Sequence, residues 1–99
     1  MDWVGCAGEG GKEMRHDVKC WSKYFDDVKS GKKPFEVRFN DRDYRVGDII
    51  RQSNFDPETK KYIGEFVDCR ITYILDNPRF CKDGFVVMGI FVVGYGREK

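Results

Sequence analysis

The sequence predicts an α+β domain: a small, mainly antiparallel β-barrel of about five or six strands, with one helix between the first two. Three observations carry this expectation. Apolar residues alternate with polar ones in several short stretches, only one stretch has helical spacing, and turn residues separate the stretches at hairpin-like intervals. A parallel α/β sheet would need a crossover helix for each parallel pair, and this chain has helical spacing for one helix alone.

The elements follow in order. Met14, His16 and Val18 alternate with Arg15, Asp17 and Lys19, the period of a half-buried strand. Trp21, Tyr24, Phe25 and Val28 then recur at helical spacing, with Ser22 as the expected N-terminal cap and Gly31 suited to a left-handed C-terminus. The helix is expected to offer Trp21, Phe25 and Val28 to the core. Phe35, Val37 and Phe39 alternate with Glu36, Arg38 and Asn40, so the apolar set is expected to face inward and the charged set outward. Asn40 to Asp43 and Val46-Gly47-Asp48 supply turns, the second leading into a strand from Ile49 towards Phe55. Asp56 to Lys60 closes a hairpin. Tyr62 to Leu75 is a long β-rich segment with a bulge expected at Gly64, and Phe85 to Tyr95 is the last strand. Residues 1 to 13 are glycine-rich and aperiodic, so they are read as an N-terminal extension to a domain spanning residues 14–99.

The 99 residues leave room for one domain, which buries roughly 60 to 65% of the unfolded chain's surface. With 40% hydrophobic and 35% charged residues, the chain is a folded domain with a wet exterior. The longest apolar run falls short of the ~20 residues of a membrane-spanning helix. Neither a basic leader nor an apolar leader core is present, so the expected compartment is the cytoplasm. The net charge of +1 hides an asymmetry. Residues 29–51 hold seven Lys/Arg against four Asp/Glu, or +3, leaving eleven against thirteen, or −2, elsewhere. A modest basic face is therefore available for a polyanion. Cys6, Cys20, Cys69 and Cys81 form no close C-x-x-C pair, so no zinc and no other cofactor is expected. Cys20 and Cys69 lie in apolar-patterned segments and are read as buried thiols.

The stretch from Gly31 to Arg38 concentrates a glycine, two lysines, a glutamate and an arginine at the start of a strand. Lys33 is a mobile point charge for phosphate, and Arg38 is a planar fork for phosphate or a base edge. Glu36 could accept a base amino group or orient Arg38. The competing reading is an exposed ion pair of about 0 to 1 kcal/mol. Lys32, Arg42 and Arg45 extend the basic set. Tyr44, between Arg42 and Arg45, is the first choice among the aromatic residues Trp21, Tyr24, Tyr44, Tyr62 and Tyr73 for stacking on a base.

The spacing G-x-K-x-x-E-x-R, here Gly31, Lys33, Glu36 and Arg38, resembles the signature of the ASCH superfamily, small β-barrels related to the PUA RNA-binding fold. The likeness extends from His16-Asp17-Val18-Lys19-Cys20-Trp21 through Asn40-Asp41-Arg42 and Val46-Gly47-Asp48 to Gly84-Phe85-Val86-Val87-Met88, about residues 16 to 93. In detail it is similar to a phage- and bacterium-associated branch of that group, a domain of unknown function. The resemblance implies an RNA- or nucleotide-binding module with Lys33, Glu36 and Arg38 on the polar wall of a cleft between barrel and helix.

Some ASCH relatives are amidohydrolases that deacylate a modified cytidine with a lysine, a threonine and a glutamate. Lys33 matches that lysine, but Glu36 stands at the threonine position, so the hydroxyl nucleophile is missing and the mechanism does not carry over. The alternatives are a hydrolase acting on RNA or a modified nucleoside, with Lys33 and Glu36 as its catalytic groups, and a phage accessory module that binds another protein. His16 shares a face with Met14 and Val18 and is read as a satisfied core or rim histidine rather than a catalyst.

Overall fold

A computed structural model describes residues 13–98, and of the extension expected over residues 1 to 13 only Glu13 lies among the described residues. Five strands and one helix follow in the order β1 (Arg15–Trp21), α1 (Ser22–Lys29), β2 (Phe35–Phe39), β3 (Ile49–Asp56), β4 (Lys61–Leu75) and β5 (Phe85–Arg97). They form one curled sheet in the order β1-β3-β4-β5-β2. Three of its ladders are antiparallel, while β1 pairs with β3 in parallel, Val18 opposite Gln52. The result is a half-barrel rather than a closed one, with β1 and β2 as its two edges. No helix among the described residues is long and apolar enough to cross a membrane.

The chain leaves β1 at one edge and returns as β2 at the other, so α1 and its exit loop bridge the open side of the curl. Phe25 and Val28, three residues apart, are each 1% exposed and anchor the helix to the interior. Burial of each stabilises the fold by roughly 1.5 to 3 kcal/mol. The helix ends where sequence placed its end: Gly31 has φ +84° and its N–H bonds to the Val28 carbonyl at 3.1 Å. Two details of the helix differ from expectation. Trp21 closes β1 and is half exposed, and the Ser22 hydroxyl donates to Asn54 Oδ1 at 2.5 Å instead of capping the helix.

The core is the inner face of the curl, built from Ile50, Val67, Ile71 and Met88 with Phe25 and Val28 beneath them. Cys20 and Cys69 are buried there. Burial pushes the Cys20 thiol up to about 11, with the nearby Glu36 carboxylate adding to the effect, and pushes Cys69 up to about 12. The hairpin after β3 forms at Asp56 to Lys60, and Gly64, at φ +104°, sits where the β3–β4 register slips.

The largest departure concerns β2. Its alternation is as expected, but its faces are exchanged. Glu36 is 7% exposed and Arg38 is half-buried, whereas Phe35, Val37 and Phe39 are 44, 53 and 54% exposed. Strand periodicity fixes which residues share a face, but not which face is inside. Here the inner side of the β2 edge receives one carboxylate and the two cations that pair with it.

Candidate functional site

Lys33, Glu36 and Arg38 meet at the seam between the two sheet edges. Glu36 stands inside β2, opposite Met88 of β5, where an unpaired carboxylate would be costly. Both its oxygens accept charge-assisted bonds, Oε1 from Lys33 Nζ at 3.1 Å and Oε2 from Arg38 Nε at 2.9 Å. Lys33 comes from the loop after Gly31, and its ammonium also donates to the Phe35 carbonyl at 3.1 Å. Helix exit and edge strand are thus tied by one buried carboxylate.

Arg38 then reaches across the seam, where its Nη2 donates to the Lys19 carbonyl on β1. Arg42, from the loop after β2, does the same two residues earlier, donating from Nη1 to the Asp17 carbonyl at 3.0 Å. Alternate carbonyls of a strand point to the same side, so Asp17 and Lys19 both present acceptors along the free edge of β1. Two guanidinium groups therefore stand where a closing ladder would be. Each retains further N–H donors, since a guanidinium carries five.

These donors border a cleft of about 490 Å³ lined by Asp17, Lys19, Arg38, Arg42, Ser53 and Tyr62, with Val18 and Glu98 completing it. The Tyr62 ring is 56% exposed and meets Phe55 edge-on at 5.0 Å, while the Lys19 ammonium sits 4.5 Å from the Phe55 centroid. Lys33 faces elsewhere. It lines a second hollow of about 310 Å³ between the end of α1 and β5, with Val28, Pro34 and Phe91. The motif residues expected on one cleft wall thus divide, with Glu36 as the hinge between Lys33 and Arg38.

Of the other expected site residues, Lys32 is exposed and its backbone N–H bonds to Ser30 Oγ at 3.4 Å. Arg45 is exposed and pairs with Asp43 at 2.9 Å, a bond that holds its guanidinium above the usual arginine pKa. Neither lines the Arg38–Arg42 cleft. Tyr44, expected to stack on a ligand, is only 5% exposed and packs edge-on against His16 with ring centroids 4.9 Å apart. Burial pushes its hydroxyl pKa up. The ring is held in the core because the Asn40–Asp48 loop folds over the end of β1. His16 is likewise internal: its Nε2 donates to Asp48 Oδ2 at 2.8 Å, and both residues are under 10% exposed.

Lys19 and Ser53 were not singled out from sequence, and Tyr62 was only one of several aromatic candidates. Strand parity puts Lys19 on the outer face of β1, but only the parallel β1–β3 register sets it beside Ser53.

Fold and site together define a small half-barrel domain whose arginine-bridged seam opens on a polar cleft. Residues 15–90 match the family described as a domain of unknown function, DUF3850, and the chain belongs to that family. It is also similar to an uncharacterized 12.9 kDa protein in the GpA 3' region of Escherichia phage P2, at 37% identity over 68 residues. The match covers 69% of this chain and 61% of the phage protein's length.

Proposed function

We propose that the seam cleft binds a nucleotide or a short stretch of single-stranded RNA, and that the domain belongs among the PUA-like, ASCH-type binding modules. The observation that carries this reading is the convergence of Arg38, Arg42 and Lys19 with the exposed Tyr62 ring on one open cleft. Phosphates need fixed cationic donors, and unpaired bases need an aromatic face. Single-strand binding sites combine the two. Two acids, Asp17 and Glu98, also line the cleft, but Asp17 is paired with Arg15 at 2.8 Å, so the three cations Lys19, Arg38 and Arg42 still outnumber the carboxylates there.

The test is titration of labelled short RNAs and of nucleoside triphosphates at several salt concentrations between about 50 and 200 mM. Arg42→Ala should weaken RNA binding and flatten its salt dependence by about one unit of slope. Tyr62→Ala should cost about 1 to 3 kcal/mol of affinity with the salt slope unchanged. Wild-type protein that binds neither ligand at the lowest salt, or an Arg42→Ala variant that binds as wild type does, removes the proposal.

A further inference from the structure

The exchanged faces of β2 leave an apolar surface outside. Its extent follows from the register. Phe39 lies opposite Phe85, their rings edge-on at 5.5 Å; Val37 lies opposite Val87, which neighbours Leu75 of β4; and Phe35 lies opposite Gly89, which neighbours Tyr73. Phe91, two residues beyond Gly89 on the same side of β5, continues the surface. Tyr73 is 65% and Phe91 66% exposed. These positions carry no charge themselves, and the cations next to them stand at the margin: the Lys33 ammonium is 4.9 Å from the Phe35 ring centroid, the Lys82 ammonium is 5.7 Å from that of Phe85, and Arg70 lies opposite Phe91.

The rings of Phe35, Phe39, Tyr73 and Phe91 are 44 to 66% exposed. At about 150 to 250 Å² each, with the half-buried Phe85 and the aliphatic residues between them, they make a patch on the order of 600 Å². That equals the largest patch an ordinary monomer leaves bare and approaches the ~800 Å² that each partner gives to a standard interface.

We propose that this β2-β5-β4 face is a homodimer interface, its occupant the same face of a second copy. The middle of this face, around Val37, Val87 and Tyr73, is apolar and offers nothing to a phosphate backbone or to a partner recognised by its charge. Its own copy supplies a matching apolar sheet, and two sheet faces stack about 10 Å apart with their side chains interleaved. The rim agrees with a two-fold arrangement. Arg70 with Glu13 lies beside Phe91 at one end, Lys82 and Asp83 precede Phe85 at the other, and each end therefore carries both signs for the partner to meet. The seam cleft, on the β1–β3 side, stays open in such a dimer.

Sedimentation equilibrium of the full chain from micromolar to several hundred micromolar concentration tests this. The expected mass is twice the 11.6 kDa of the chain. Val37→Lys and Phe91→Lys should each raise the dimer dissociation constant by more than about tenfold, because each would bury an unpaired ammonium in the interface. Both positions are exposed in the single chain, so the circular dichroism spectrum should be retained; if Val37→Lys disturbs the edge strand, Phe91→Lys carries the test. A wild-type protein that stays at the mass of one chain overturns the proposal, as does a dimer that survives both substitutions. A one-chain mass together with strong hydrophobic-dye binding lost in Phe91→Lys gives the face to another partner, and overturns it equally.

Discussion

Among the described residues two carboxylates lie buried, and they differ in their partners rather than in their own burial. Asp48 is 5% exposed and Glu36 is 7%. Asp48 accepts from His16 Nε2 at 2.8 Å and from the backbone N–H groups of Met14 at 3.2 Å and Arg45 at 3.1 Å. His16 is 8% exposed and the other two donors are main chain, so every partner is fixed. Glu36 is held by Lys33 and Arg38, whose side chains keep 21 and 23% of their surface exposed and border hollows. The first arrangement pins β1 to the start of β3. The second holds two cations at the surface in defined directions. Burial of the partner, more than burial of the acid, separates a structural pin from a group that presents charge.

The sharpest way to break this comparison is to remove each acid. Asp48→Ala strands a buried imidazole and two main-chain donors, and should cost about 3 kcal/mol or more in denaturant unfolding. Glu36→Ala leaves two cations that can turn to water, and should cost only about 1 to 2 kcal/mol. If the two losses are equal, the distinction drawn from the partners fails.

A smaller effect sharpens the picture of the seam interior. The folded Cys20 and Cys69 thiols stay protonated up to about 11 and 12, while an unfolded thiol ionises near 9.0. Above pH 9 the unfolded chain binds fewer protons than the folded one, so stability, fully present below that pH, falls as pH rises towards the folded values. The raised Tyr44 hydroxyl acts in the same direction. Melting temperatures should therefore decline from pH 9 to 11, and Cys20→Ala or Cys69→Ala should each make the decline shallower by up to about one proton's worth of slope. An unchanged slope in both variants would show that the thiols are accessible in the fold.

The seam and the apolar face were legible to different degrees. Gly31 to Arg38 stood out by composition, and Lys33, Glu36 and Arg38 do come together, because all three lie within six residues of one helix exit and one strand. His16 was legible as an internal histidine from its alternation with Val18. Tyr44 was misread because flanking arginines suggest exposure, whereas the packing of its loop against His16 is a contact made across the sequence. The same holds for Lys19 and Tyr62, brought to one cleft by the parallel β1–β3 ladder and the β3–β4 hairpin.

What the chain determined locally is its set of elements: alternation for the strands, Phe25 and Val28 with Gly31 for the helix and its end, and Asp56 to Lys60 for the hairpin. These depend on interactions within a few residues, so sequence carries them in full. Tertiary structure decided that β1 runs parallel to β3, that the sheet stays open between β1 and β2, and that β2 turns Glu36 inward and Phe35, Val37 and Phe39 outward. A period of two names two faces and leaves the choice to whatever each face meets. For β2 the inner face met Lys33 and the free carbonyl edge of β1, which give Glu36 and Arg38 their partners, while the outer face carries its phenylalanines.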